Sequence, residues 1–299
     1  MKFEWTVPDT KERTVKVFLK EKGISKRLLA KLKFQGGEIK VNGEESRVRR
    51  TLQKNDRVSV TLPKEEGNAY LEVSNKPLSI LYEDDHFLFI NKPAGLASVP
   101  SPEYKNHTIS NRVKGYIESK DYLHQTIHVV NRLDKDTSGV MMFAKHTLAH
   151  SYLDSLLKSN KLEREYLVYV EGVVKNNHGM ISQPIGREEG SIIKRIVDSD
   201  GKASLTEYWV NKRFKYATEL RVKLHSGRTH QIRVHFSYLG HPLIGETLYK
   251  EATHPSLINR QALHCQVIRF THPFTHYPLV IEAPLPEDVT HLRTQLLED

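Results

Sequence analysis

His128-Val-Val-Asn-Arg-Leu-Asp-Lys-Asp-Thr-Ser-Gly-Val140 packs two carboxylates and two cations into a short span with apolar residues on both sides. Ile127, Val129 and Val130 lead in, and Val140-Met-Met-Phe-Ala144 leads out. Both flanks read as buried strands. Charges held between buried strands carry a desolvation penalty unless they are paired or put to use. Chemistry is therefore expected first in the loop these strands frame.

Asp134–Gly139 supports several local readings. Asp134, Asp136, Ser138 and Gly139 occupy the first, third, fifth and sixth positions of a calcium loop, but the position that should be a bidentate Glu is Lys145. Asp134-x-Asp136 also suggests aspartyl-phosphate chemistry, against which the preceding segment is broken by Asn131 and Arg132. The plainest reading is a turn in which Asp, Thr and Ser bond their own backbone.

Composition narrows the class. The chain has 299 residues, which suggests two domains. No apolar run reaches the roughly 18 residues of a membrane span, and Met1-Lys-Phe-Glu-Trp5 has no signal-peptide core. Cys265 is the only cysteine, so an intrachain disulfide is excluded and a cytoplasmic setting is expected. The net charge is +9. Residues 1–66 hold 17 Lys/Arg against 10 Asp/Glu, leaving 28 against 26 for the rest. The basic excess thus belongs to a small N-terminal module beside a near-neutral body.

Within that module, Val15, Phe18 and Leu19 have helical spacing. Ser25 is placed to cap a second helix, Lys26–Phe34, with Leu28, Leu29 and Leu32 on one face and Lys26, Arg27, Lys31 and Lys33 on the rest. Glu38–Val41, the Asn42-Gly43 turn and Asp56–Thr61 read as sheet. Basic helices beside a short sheet suit a phosphate backbone; the competing reading is a solvated charged face. Residues 1–62 are taken as this domain, 63–77 as a polar, mobile linker and 78–299 as the large domain. The large domain's strands come in clusters: Leu78–Tyr82, His86–Asn91, Ile127–Val130, Val140–Lys145, Glu165–Val174, Ser204–Val210, Ala217–Leu224, Val267–Phe270 and Leu279–Ala283. Helices are expected at Thr108–Glu118, Ala149–Leu157 and Thr229–Leu239. That order predicts an α+β domain with a mixed, largely antiparallel sheet and flanking helices.

Four segments in order carry a resemblance. Asn131-Arg-Leu-Asp-x-x-Thr-Ser-Gly139 resembles the central signature of the RluA/RluD-type pseudouridine synthases. Tyr82–Gly95, with Asn91-Lys-Pro-Ala-Gly95, resembles the first motif of that family, and Glu163–Gly172 its tyrosine motif. Ser226-Gly-Arg-Thr-His-Gln-Ile-Arg-Val-His235, with Gly240-His-Pro-Leu-Ile-Gly245, resembles the third. Leu263-His264 and His272-Pro273 match the C-terminal pattern. The N-terminal module, with Val41-Asn-Gly43 and Asn55-Asp56, resembles the small RNA-binding domain of the ribosomal protein S-four type. One departure is Asn131, where the family commonly has His.

The resemblance implies an RNA pseudouridine synthase that flips a uridine out of structured RNA, with no cofactor and no metal. It implies Asp134 as the essential carboxylate, Arg132 as the residue that fills the vacated stack, Tyr166 against the flipped base and Arg233 as the partner of Asp134. Lys92 is read as a fold or phosphate-contact residue. His225, His230, His235 and His241, and also His264, His272 and His276, lack a metal-ligand spacing and are read as structural or RNA-contacting. RNA is the expected partner, ribosomal RNA before transfer RNA, bound by a monomer through Lys26, Arg27, Lys31 and Lys33. The rival class is a non-catalytic RNA-binding or ribosome-assembly protein on the same fold. Retention of Asp134, Arg132, Tyr166 and Arg233 together speaks against it.

Overall fold

The computed structural model describes every residue except 10, 121, 250–256 and 299. The large domain is built on a ten-stranded sheet. Its path runs His178–Ser182, Leu205–Arg213, Ala217–Leu224, Glu163–Glu171, Leu263–Thr271, Ser138–Ala144, Phe87–Lys92 and Ile80–Glu83. Pro278–Glu282 and His128–Val129 pair off the path. All these pairings are antiparallel except one: Ser138 and Gly139 pair in parallel with His264 and Cys265. The architecture is the mixed, largely antiparallel α+β sheet expected.

Local chemistry explains the elements. Phe87-Leu-Phe-Ile90 and Val140-Met-Met-Phe-Ala144 are buried without alternation, the pattern of central strands covered on both faces. Helix Ile109–Ser119 begins at a capping box, with Thr108 N–H donating to Asn111 Oδ1 (3.0 Å) and Asn111 N–H to Thr108 Oγ1 (3.4 Å). Helix Thr147–Lys158 is capped by His146, whose Nδ1 accepts from Ala149 N–H. Helix Gln231–Tyr238 begins directly after His230, and helix Glu287–Glu298 closes the described chain.

Residues 1–62 have a four-stranded antiparallel sheet of their own: Lys2–Thr6, Arg57–Thr61, Glu38–Val41 and Glu44–Glu45. Helices Val15–Glu21 and Lys26–Phe34 pack Val15, Phe18, Leu19, Leu28 and Leu32 against it. Ser25 Oγ accepts from Leu28 N–H (3.1 Å), the expected cap. Asn42 and Gly43 both take positive φ, 56° and 88°, as a tight hairpin turn demands. The Asn42 side chain also donates to Asp56 (2.8 Å) and accepts from Arg57 N–H (2.8 Å). The first of these bonds explains why Asn42 and Asp56 belong together in the sequence. The strand Lys2–Thr6 lies outside the sequence expectations; it is a half-exposed edge strand whose register comes from Arg57–Thr61.

The expected mobile linker is a fastened strap. Residues 63–77 lack regular structure, yet helix Ile109–Ser119 and its neighbours hold them at many points. Lys114 donates to the Asn68 and Leu71 carbonyls (3.0 and 2.5 Å), and Asn111 to that of Glu72 (2.8 Å). Glu65 is buried against His128 (2.6 Å) and the Thr147 hydroxyl. The polarity that reads as a loop is genuine, but side chains 39 to 82 positions away satisfy it. The two units also share a seam. Phe3 packs on Phe274 and His146, and the Tyr152 hydroxyl donates to the Lys22 carbonyl (2.9 Å).

Candidate active site

The loop 131–137 enters the sheet at its parallel junction. Gly139 there has φ +111°, and a Cβ on it would lie 2.1 Å from the Cys265 carbonyl oxygen. Only glycine lets the two strands approach so closely. Within the loop Thr137 N–H donates to the Asp134 carbonyl (3.1 Å), so the turn spans 134–137. Ser138 and Gly139, expected in the turn, already belong to the strand.

Buried donors from distant segments fix this turn. Lys92 is fully buried, and its Nζ donates to the carbonyls of Pro93 (2.9 Å), Lys135 (2.7 Å) and Thr137 (2.8 Å). Burial pulls its ammonium down to about 7, against the opposing pull of Asp136 and Asp134. Three acceptors need three hydrogens, which only the ammonium supplies. Lys92 is thus a fold residue, and its burial leaves it no reach to a phosphate. Arg260 donates to the Asp136 carbonyl (3.0 Å) and the Ser138 hydroxyl (3.3 Å), while its other edge grips Asp288 (2.6 and 2.9 Å). Ser98 Oγ donates to the Leu133 carbonyl (2.6 Å) and accepts from Leu133 N–H (3.1 Å). Asn131 Oδ1 accepts from Met142 N–H (2.7 Å), with its amide nitrogen buried and unpartnered among the described residues.

On this frame the Asp134 carboxylate is a quarter exposed. Arg233 Nη1 stands 3.4 Å from Oδ2, and His230 Nε2 stands 3.8 Å from Oδ1. Arg233 lies one turn into its helix, and its guanidinium makes shorter bonds to Glu246: Nε at 2.7 Å and Nη2 at 2.6 Å. Burial works against charge on both Arg233 and Glu246, but their bonds outweigh it. The guanidinium is held above its usual range and the carboxyl below. His230 has a left-handed backbone (φ 57°), which is costly for a residue with a Cβ and here turns the ring toward Asp134. Its Nδ1 bonds the Tyr249 hydroxyl (2.5 Å), and burial lowers the imidazole from its usual range.

Tyr166 is buried at a bulge where the pairing between Glu163–Glu171 and Leu263–Thr271 shifts register. A bulge re-aims the side chain at its position. Burial, Cys265 and the charge of Asp134 together raise the Tyr166 phenol well above its usual range. Cys265 itself is buried and pushed up to about 12. Arg132 points outward, with no hydrogen bond or ion pair among the described residues.

The structure therefore gathers Asp134, Arg233 and Tyr166 and leaves Arg132 at the rim. Lys26, Arg27 and Lys33 lie exposed on the N-terminal unit. Lys31 turns inward, 4.0 Å from the buried Glu65. Of the histidines read as structural or RNA-contacting, His235 and His264 are buried and bonded within the fold, and His272 is paired with Asp84. His230 instead stands at the site. Sequence reasoning missed Glu246, Tyr249 and Arg260, and it did not set His230 beside Asp134. The available signal was Glu246 itself, a carboxylate directly after the apolar run that ends at Gly245.

Comparison with known proteins gives the family. The model of the family described as RNA pseudouridylate synthase matches residues 86–238. An uncharacterized RNA pseudouridine synthase of Bacillus subtilis, YjbO, is 43% identical over 93% of this chain and 98% of its own length. Ribosomal large subunit pseudouridine synthase D of Xanthomonas campestris is 36% identical, covering 89% of this chain and 83% of its own. Among solved structures, human RNA pseudouridylate synthase domain containing 1 superposes with a TM-score of 0.57 at 25% identity, over 71% of this chain and 85% of its own. The chain belongs to the RNA pseudouridylate synthase family, the isomerases that convert uridine in RNA to pseudouridine.

Proposed function

We propose that this enzyme isomerises a specific uridine in structured RNA, with large-subunit ribosomal RNA as the first substrate to test, and that Asp134 is its essential carboxylate. The name of the Xanthomonas relative supports the choice of RNA. The observation that carries the reading is the Asp134 carboxylate, reachable from solvent and 3.4 Å from a buried guanidinium.

Isomerisation breaks the bond from uracil N1 to C1′, turns the base and joins C5 to C1′. C5 then loses its proton and N1 gains one. The exchange has no net redox change. It calls for a carboxylate at the sugar, and Arg233 sets a cation 3.4 Å from that of Asp134. A uridine inside a stem must leave its stack to reach Asp134. Arg132, exposed on the same loop and without a partner among the described residues, would fill the gap. Tyr166 offers a flat ring and a neutral hydroxyl to the flipped base. Residues 1–62, which resemble the S-four-type domain, supply exposed Lys26, Arg27 and Lys33 for the phosphate backbone.

Pseudouridine mapping of RNA from cells with and without the gene tests this reading. One reverse-transcription stop after derivatisation should vanish on deletion. It should return with the wild-type gene and not with Asp134→Asn. Loss of no site would leave a non-catalytic RNA-binding role instead.

A further inference from the structure

We propose that Glu246 is a positioning residue for the reaction: it reserves Arg233, so that Asp134 is approached by a single N–H and stays free to act on the sugar. The inference rests on the reading of Asp134 as the essential carboxylate.

One guanidinium serves two carboxylates here, and the geometry ranks them. Glu246 takes Nε and Nη2 at 2.7 and 2.6 Å, a bidentate fork. Asp134 is left with Nη1 at 3.4 Å. The unequal sharing is built in. Glu246 is 1% exposed, and its Oε1 also accepts from Leu248 N–H (2.8 Å). Its backbone follows Gly245, whose positive φ and close approach to the Arg260 carbonyl admit no side chain. Glu246 therefore cannot yield toward Arg233 or away from it. Asp134, on a turn and a quarter exposed, can.

A carboxylate locked in its own bidentate fork with arginine is a poor nucleophile and points at the arginine rather than the substrate. A carboxylate with no cation nearby is readily protonated. A guanidinium already committed to Glu246 avoids both. Its charge stays within reach of Asp134, while its best donors are taken. The other ionisable groups around Asp134 are His230, Lys92, Tyr166 and Tyr249, and Glu246 is faced by Arg233, His230 and Tyr249.

Removing the charge of Glu246 should release Arg233 to Asp134 and remove a neighbouring negative charge. Both changes favour the ionised form of Asp134. The test is single-turnover isomerisation of a 5-tritiated, unmodified large-subunit ribosomal RNA transcript by the full chain across pH. Glu246→Gln is expected to lower the maximal rate roughly 10- to 100-fold, the scale of a small misplacement at a reacting group. The RNA concentration for half-maximal rate should change less than about twofold, and the acid limb of the pH–rate profile should move to lower pH. An unchanged rate overturns the proposal. So does a slowed but folded enzyme whose acid limb has not moved, since that describes a prop for the fold. Should Glu246→Gln not fold, Glu246→Asp decides. It keeps the charge but draws the guanidinium about one methylene away. A reduced rate with unaltered RNA affinity supports the proposal, and the wild-type rate overturns it. Asp134→Asn is run alongside. Activity in that variant would sink the underlying assignment, whatever Glu246 does.

Discussion

Helix Lys26–Phe34 and loop 131–137 each carry several charges within a few residues, and they are held by different means. The helix is fixed locally. Ser25 caps it, Leu28 and Leu32 bury one face, and Lys26, Arg27 and Lys33 face solvent. The loop is fixed from afar. Its path depends on Lys92, Ser98 and Arg260, residues 35 to 124 positions away. The three exposed charges on the helix can change without cost to the fold. Charges around the loop are structural as well as chemical, because each buried donor would leave carbonyls unsatisfied if removed.

The contrast breaks most visibly at Arg260. Arg260→Ala takes the donor from the Asp136 carbonyl and the partner from the exposed Asp288, and it should cost about 2 kcal/mol of unfolding free energy, the scale for acceptors inside the fold left without a donor. Isomerisation should slow as the loop loosens. Denaturant titration together with single-turnover rates checks both; a change under about 0.5 kcal/mol would mean that the loop is held locally after all.

Acid should next attack the seam between the two units. Burial pulls the His146 imidazole down to about 3, and lowers His86 and His124 in the same direction. An imidazole whose folded value lies below its unfolded one gives stability that is lost as pH falls below about 6.5, at no more than about 1.4 kcal/mol per pH unit for each group. For Glu65, burial raises the carboxyl, but His128 and Thr147 outweigh it and bring the group to about 2. Its stabilisation is present above the ordinary carboxylate range and fades from about 4.5 downward. Denaturation midpoints at pH 7.5, 6 and 5 should fall in that order. His146→Asn, which keeps an N-cap but does not titrate, should flatten the slope by about one proton; an unchanged slope would move the effect elsewhere.

Smaller effects belong to the helix. Ser25→Ala should cost about 1 kcal/mol, read by thermal denaturation. Replacing Lys26, Arg27 and Lys33 together by Ala should change stability by no more than about 0.5 kcal/mol. The salt dependence of RNA binding should flatten by nearly one unit of slope for each phosphate that is no longer neutralised. Unaltered binding would assign residues 1–62 another task.

The same contrast decides what the sequence could tell. Ser25, the leucine stripe and Asn42-Gly43 announce themselves because cap, face and turn lie within a few residues of one another. The sheet strands were legible for the same reason, as apolar runs. Strands Lys2–Thr6 and His178–Ser182 were not, being edge strands with exposed residues that take their register from a partner. The closing helix Glu287–Glu298 did carry a signal, Val289, Leu292 and Leu296 at helical spacing. At the site, Asp134, Tyr166 and Arg233 came through resemblance. Glu246, Tyr249 and Arg260 depend on contacts across the fold that no spacing records. The strap of residues 63–77 is the clearest case, polar in sequence and tied down by side chains of a helix that follows it.

The central claim is that Asp134 drives the exchange of a carbon–hydrogen bond at uracil C5 for a bond to the sugar. Tritium release from 5-tritiated large-subunit ribosomal RNA, transcribed without modification, tests it most directly. The account predicts release by the wild-type chain and none above background with Asp134→Asn, while that variant still folds and binds the RNA. Release by Asp134→Asn at the wild-type rate would contradict it.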